Sequence, residues 1–94
     1  MKLVLRKRAI NALLKASAFV ESMNTTGSGD RWLEKIENVI FRLAASRAKF
    51  AICKHPSLAK FNYRCYANND CVIAFRVKEN EFEVCRFILG SRLA

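Results

Sequence analysis

The side chains in this sequence that could do chemistry are mostly cations. Between Glu37 and Asp70 there is no acidic residue, while Arg42, Arg47, Lys49, Lys54, Lys60 and Arg64 all fall inside that window. A second basic cluster, Lys2, Arg6, Lys7 and Arg8, opens the chain. A guanidinium brackets a phosphate through two hydrogen bonds, and an ammonium offers the same group a point charge. An acid-free window of this length reads as a binding face, with Lys49 and Lys54 as nucleic-acid-binding candidates; the plainer reading is a solvated surface that keeps a small protein in solution. The whole chain carries 17 Lys+Arg against 8 Asp+Glu, a net charge of +9. Nucleic acid, acidic protein segments and anionic membrane are the partners such an excess suits.

Groups that move protons or hold metals are scarce. The single His55 sits beside Pro56 and reads as a surface loop residue, although its near-neutral reference pKa makes it chemically competent. Cys53, Cys65, Cys71 and Cys85 form no CxxC pair and do not complete a zinc set with His55 at these spacings, so neither metal nor cofactor is expected. Pairing of two strands about Asn68-Asn69-Asp70 would set Cys65 roughly opposite Cys71. The favoured reading of all four is as small buried hydrophobes in a reducing cytosol.

The elements that must position these groups follow from periodicity. Lys2 to Leu5 alternates weakly and is read as a short strand. From about Arg8 to Met23, Asn11, Lys15 and Ser22 lie on one stripe and Ile10, Leu13, Leu14, Phe19, Val20 and Met23 on much of the rest, an amphipathic helix with a wide apolar face. Asn24-Thr-Thr-Gly-Ser-Gly29 breaks it. Asp30 then suits an N-cap for a second helix from about Arg31 to Arg47, whose Trp32, Leu33, Ile36, Val39, Ile40 and Leu43 keep three-and-four spacing. A short polar loop between two helices predicts an antiparallel hairpin. Pro56 disfavours helix at His55, so 49–60 is expected to be an irregular or extended connector.

Three strand-like runs close the chain: Phe61–Ala67, Cys71–Val77 and Glu81–Leu89. In the first, Phe61, Tyr63 and Cys65 share one face, while Asn62, Arg64 and Tyr66 share the other. Tyr66, on the outward side, is the candidate for stacking on a base. The middle run is apolar on nearly both faces apart from Arg76, as suits the most covered strand. The fold class is therefore α+β: an N-terminal strand, a helical hairpin and a three-stranded antiparallel meander, with the first strand joining at an edge of a mainly antiparallel sheet.

Ninety-four residues make one domain, because so short a chain buries only roughly 60–65% of its unfolded surface. An apolar fraction of 52% is generous for that size, so part of it is expected to lie under another chain. Basic residues before Ala9–Leu14 and the Ala16-Ser-Ala18 run imitate a signal peptide, but Lys15 ends the apolar stretch early. No stretch reaches the roughly eighteen apolar residues of a membrane span. The expectation is a cytoplasmic protein with no membrane partner and no small-molecule ligand.

The order of elements, the strand text Val72-Ile-Ala-Phe-Arg-Val77, the upstream Arg64 and the ending Arg86-Phe-Ile-Leu-Gly-Ser-Arg92 together resemble the RelE/ParE superfamily of toxins from bacterial type II toxin-antitoxin modules. The likeness spans nearly the whole chain in layout and rests on degenerate motifs. It implies a growth-inhibiting toxin neutralised by a cognate antitoxin, whose C-terminal segment covers an apolar groove and the basic face. Its target would be either messenger RNA in the ribosomal A site, cut without metal by RelE-like members, or DNA gyrase, poisoned by ParE-like members.

The resemblance places Lys60, Arg64, Arg76 and Arg92 as catalytic candidates. RNA cleavage by the 2′-hydroxyl needs a base, cations for the developing charge and an acid for the leaving oxygen. The cations are present; the other two are thin. Leu89 stands where a histidine commonly precedes the glycine, and no tyrosine follows Tyr66. The lean is therefore toward a ParE-like, non-catalytic inhibitor. Each candidate also has a structural reading: Arg76 pairing with Glu81 or Glu83, at equal weight; Arg64 projecting from an exposed face; Arg92 as a solubilising tail. Trp32 fits the core or an antitoxin-facing stripe. The rival class is a basic nucleic-acid-binding or ribosome-associated protein without toxicity.

Overall fold

The computed structural model describes residues 2–46, 50–54, 56–67 and 71–90. Its elements are β1 (Lys2–Leu5), α1 (Lys7–Met23), α2 (Ser28–Ala45), α3 (Pro56–Ala59), β2 (Arg64–Ala67), β3 (Cys71–Lys78) and β4 (Glu81–Leu89). The class is α+β, with one four-stranded sheet in the order β1-β4-β3-β2. β2 pairs antiparallel with β3, and β3 with β4. The sheet is nevertheless mixed, because β1 lies parallel to β4, with Leu3 opposite Phe82 and Leu5 opposite Val84. The chain between β1 and β4, which includes the helical hairpin, supplies the long crossover that a parallel pair requires.

Both helices cover one face of this sheet. Ala9, Leu13 and Ala16 from α1 and Ile36, Ile40 and Leu43 from α2 form one buried cluster with Cys71, Ile73, Phe75, Phe82, Val84 and Phe87. Alternation explains which strand residues join it until Cys85. There β4 carries an extra residue, since Phe75 faces Val84 while Ala74 faces Arg86. The bulge flips the phase of the strand, so Phe82 and Val84 before it and Phe87 after it all point at the helices. This is why the polar alternation of Glu81 and Glu83 fades beyond Cys85.

The helical hairpin closes differently from the expected Asp30 cap. α2 starts at Ser28, with Asp30 already in its first turn and Gly27 in the left-handed region at φ 87°. The orphan amides are satisfied from the neighbouring helix: Gly29 N–H donates to Glu21 Oε1 at 2.7 Å and Gly27 N–H to Glu21 Oε2 at 2.8 Å. α2 ends at Ala45, short of the predicted Arg47, a residue outside those described. The connector contains a helical turn where an irregular or extended path was expected, because Pro56 takes the first helical position, which its fixed φ suits. β2 starts at Arg64 rather than Phe61, since Asn62 adopts φ 60° in the preceding turn.

The connector crosses the other face of the sheet. Cys53, Leu58 and Tyr63 form a second, smaller cluster there with Ala74 and Cys85. The proposed opposition of Cys65 and Cys71 does not occur: Cys65 lies opposite Ala74, and Cys71 opposite Leu89. Nor are all four cysteines thiols. Cys65 is joined to Cys53 by a disulfide, with the Cα atoms 5.0 Å apart, while Cys71 and Cys85 are buried thiols.

Candidate functional site

Alternation puts Ala74 and Arg76 of β3 on the face away from the helices, and the partners of Arg76 mark the chemically richest part of that face. Arg76 and Glu83 are directly opposed on β3 and β4, and Arg76 Nε donates to Glu83 Oε1 at 2.7 Å. Arg6, in the junction between β1 and α1, brings its Nε within 3.4 Å of the same oxygen. The parallel register makes this possible: Val4 is opposite Glu83, so Arg6 follows two residues later. The Cys85 thiol also reaches that oxygen, at 3.5 Å. Arg86 extends the cationic surface, its guanidinium 5.9 Å from the centre of the Tyr63 ring and its Nη1 donating to Cys85 O.

These contacts fix the protonation states. Burial pushes the Glu83 carboxyl up, but hydrogen bonds from Arg76 and Cys85 and the charges of Arg6 and Arg76 outweigh it and hold it below the ordinary carboxylate range. The Glu83 hydrogen bond and charge in turn raise Arg76. Burial, reinforced by the neighbouring carboxylate, pushes the Cys85 thiol up. An ionised, doubly paired carboxylate is a poor proton acceptor, and a neutral buried thiol is a poor nucleophile. The cluster of two arginines and one glutamate keeps a net positive charge of one, to which Arg86 adds another. It is suited to binding an anion rather than to transferring protons.

The residues singled out from sequence do not converge. Arg76 is the one described member that joins the cluster, in its structural pairing with Glu83. Arg64 is exposed and faces the opposite way, its Nη1 donating to Phe50 O at 3.1 Å. Lys60 lies in the turn after α3, its ammonium 5.1 Å from the centre of the Phe61 ring. Lys54 is exposed on the connector. Tyr66 does not face outward for stacking: it is half-buried on the helix side, edge-on to Phe50 and packed against the main core. Lys49, His55 and Arg92 lie outside the described residues. Sequence reading missed Arg6, Glu83 and Arg86 as a group; the signal was the N-terminal basic cluster, which only the parallel pairing of β1 connects to β4. Among the described residues no three His, Cys, Asp or Glu side chains are grouped to hold a metal ion.

A second feature opens on the helix side. Leu3 and Leu5 of β1, Ile10 and Leu14 of α1, and Leu33 and Phe41 of α2 line an apolar groove of about 170 Å³, with Glu37 as its one charged wall. Leu14 and Phe41 are more than half exposed, at 55% and 57%. Groove and arginine cluster meet in sequence at Leu5-Arg6. No helix among the described residues is long and apolar enough to cross a membrane. No known protein-family model matches the chain, and no curated protein does.

Proposed function

We propose that this chain is a growth-inhibiting toxin of the RelE/ParE kind, held in check by a cognate antitoxin and acting by binding its target rather than by cutting RNA. The observation that carries the non-catalytic reading is the clamp on Glu83: the carboxylate nearest the arginines is tied by Arg6 and Arg76 and held below its usual pKa range. Support for the family reading is the β-α-α-β-β-β order of the main elements, in keeping with the sequence resemblance. Support for an antitoxin is the apolar groove on a strongly basic chain, a surface suited to an acidic segment with apolar anchors. Within this reading the target is DNA gyrase, with ribosome-dependent cleavage of messenger RNA as the alternative.

Inducible expression in a bacterial host, alone and with the antitoxin, tests the proposal. Growth arrest relieved by the antitoxin is expected, with no codon-phased transcript ends on primer extension. Unimpaired growth would overturn it, and phased cuts would move the chain to the RelE-like mechanism. The net charge of +9 favours one second reading, a non-toxic nucleic-acid binder. That protein would bind RNA or DNA tightly, with affinity falling steeply as salt rises.

A further inference from the structure

We propose that the Cys53–Cys65 disulfide is a redox-operated latch, whose reduction by a dithiol releases the connector from the outer face and edge of the sheet while the main core stays folded. The inference stands apart from any reading of the target. The two buried clusters share β3 and β4 but take their other members from different parts of the chain. Every fully buried member of the larger one lies in α1, α2, β3 or β4. The connector contributes only Cys53, Leu58 and Tyr63 to the smaller one. Besides the disulfide, the connector is held at the edge of β2 by Cys53 N–H donating to Tyr63 O and Cys65 N–H donating to Ala51 O, which together make the bridge of Ile52 to Arg64. At its start it is held by Arg64 Nη1 donating to Phe50 O and by the Phe50 ring edge-on to Phe75 and Tyr66. A segment with so few buried contacts opens locally, well below the free energy of global unfolding. The covalent bond is what confines it.

Access orients the exchange. Cys53 is 3% exposed, whereas Cys65 is half-buried. A thiolate of the dithiol attacks Cys65 Sγ, the S–S bond breaks, and its electron pair leaves on Cys53 Sγ, which takes up a proton. The second thiol of the reductant then displaces Cys65 from the mixed disulfide and departs as a disulfide. Two electrons and two protons pass to the protein. The neighbouring Cys85, kept protonated by burial, does not compete as an internal nucleophile. Opening uncovers the β2 edge from Arg64 onward and the sheet face at Ala74 and Cys85, next to the Arg76–Glu83 pair.

The test uses the full chain purified without reductant, then treated with dithiothreitol, beside a C53S/C65S double variant. Digestion by a cysteine-free protease, with cleavage mapped inside 51–63, and alkylation of Cys85 are followed in each. Reduction and the double substitution should each speed both by about tenfold, as expected for a lost local closure. Trp32 fluorescence and far-ultraviolet dichroism should hold. Unchanged cleavage would overturn the latch. So would four alkylatable thiols in the denatured protein without reductant, which means no bond forms. Collapse of the Trp32 signal on reduction, in the wild-type chain or the variant, would make the disulfide a staple for the whole fold and also overturn it.

Discussion

Arg76 and Glu83 face each other across β3 and β4 with a 2.7 Å hydrogen bond, and the same Glu83 oxygen is shared with Arg6 from the far end of β1. One carboxylate thus ties the β3–β4 hairpin to the end of β1, a segment distant in sequence. Its replacement leaves two guanidiniums side by side with no counter-charge. E83A should lower the Tm by about 4 °C, as small-domain scaling suggests for a modest loss. R6A should lower it less, because Arg6 is within ion-pair distance without a hydrogen bond and is nearly half exposed. Thermal unfolding of the two variants at neutral pH checks the order; an R6A loss exceeding that of E83A would contradict it.

Acid should destabilise the protein through two particular carboxyls. Glu21, held down by the Gly29 and Gly27 amides, and Glu83, held down by Arg76, Cys85 and Arg6 against the upward push of its burial, both have folded pKa values below the unfolded one. The unfolded chain then binds more protons in the acid range, so stability rises with pH there. The contribution is complete above the unfolded carboxyl pKa of about 4.3 and is lost as pH falls through the lower folded values. Urea midpoints should be flat from pH 7 to about pH 5 and drop below about pH 4. E21Q and E83Q should each flatten that drop, and an unchanged slope in both would remove the assignment.

Gly29 should resist even alanine. A Cβ there would lie 2.5 Å from the Ser17 carbonyl oxygen of the facing helix, and backbone cannot swing aside as a side chain can. Alanine in a helix normally gains about 1 kcal/mol over glycine. Here forced separation of α1 and α2 outweighs that gain, and G29A is expected to cost about 2 kcal/mol net by denaturant unfolding. At the main core, F75A should cost about 3–5 kcal/mol, since this ring is 2% exposed and stacked on Phe82 at 4.6 Å.

Much of this architecture was legible because it is periodic. The helix stripes, the buried middle strand and the antiparallel meander each repeat a local pattern over several residues. What escaped depended on non-local pairing or on a single residue. Four residues of β1 carry no mark of running parallel to a strand some eighty positions away, so the Arg6–Glu83 contact was invisible. One extra residue at Cys85 reversed the faces of β4. Tyr66 was assigned the correct alternation but the wrong side, because the sequence does not say which face the helices cover. The Cys53–Cys65 bond hid in a connector with no period at all, beside a tempting hairpin pair.

The apolar groove gives a prediction that separates binding from folding. Leu14 and Phe41 stand on α1 and α2 with more than half of their surfaces exposed, so replacing them removes little buried area. L14E/F41E should leave the urea midpoint within the small range usual for surface changes, about 0.5 kcal/mol. An acidic antitoxin segment with apolar anchors would lose its apolar contacts and meet two new carboxylates beside Glu37 along the groove. Co-expression of this variant with the antitoxin should then arrest growth where the wild-type chain does not, and titration calorimetry with the antitoxin segment should show affinity weakened at least about a hundredfold, in line with hot-spot losses. Arrest also rests on the target being bound elsewhere. If the variant is folded, binds the segment normally and is still neutralised, the groove is not where the antitoxin sits. If binding is lost but growth continues, the groove serves target and antitoxin alike.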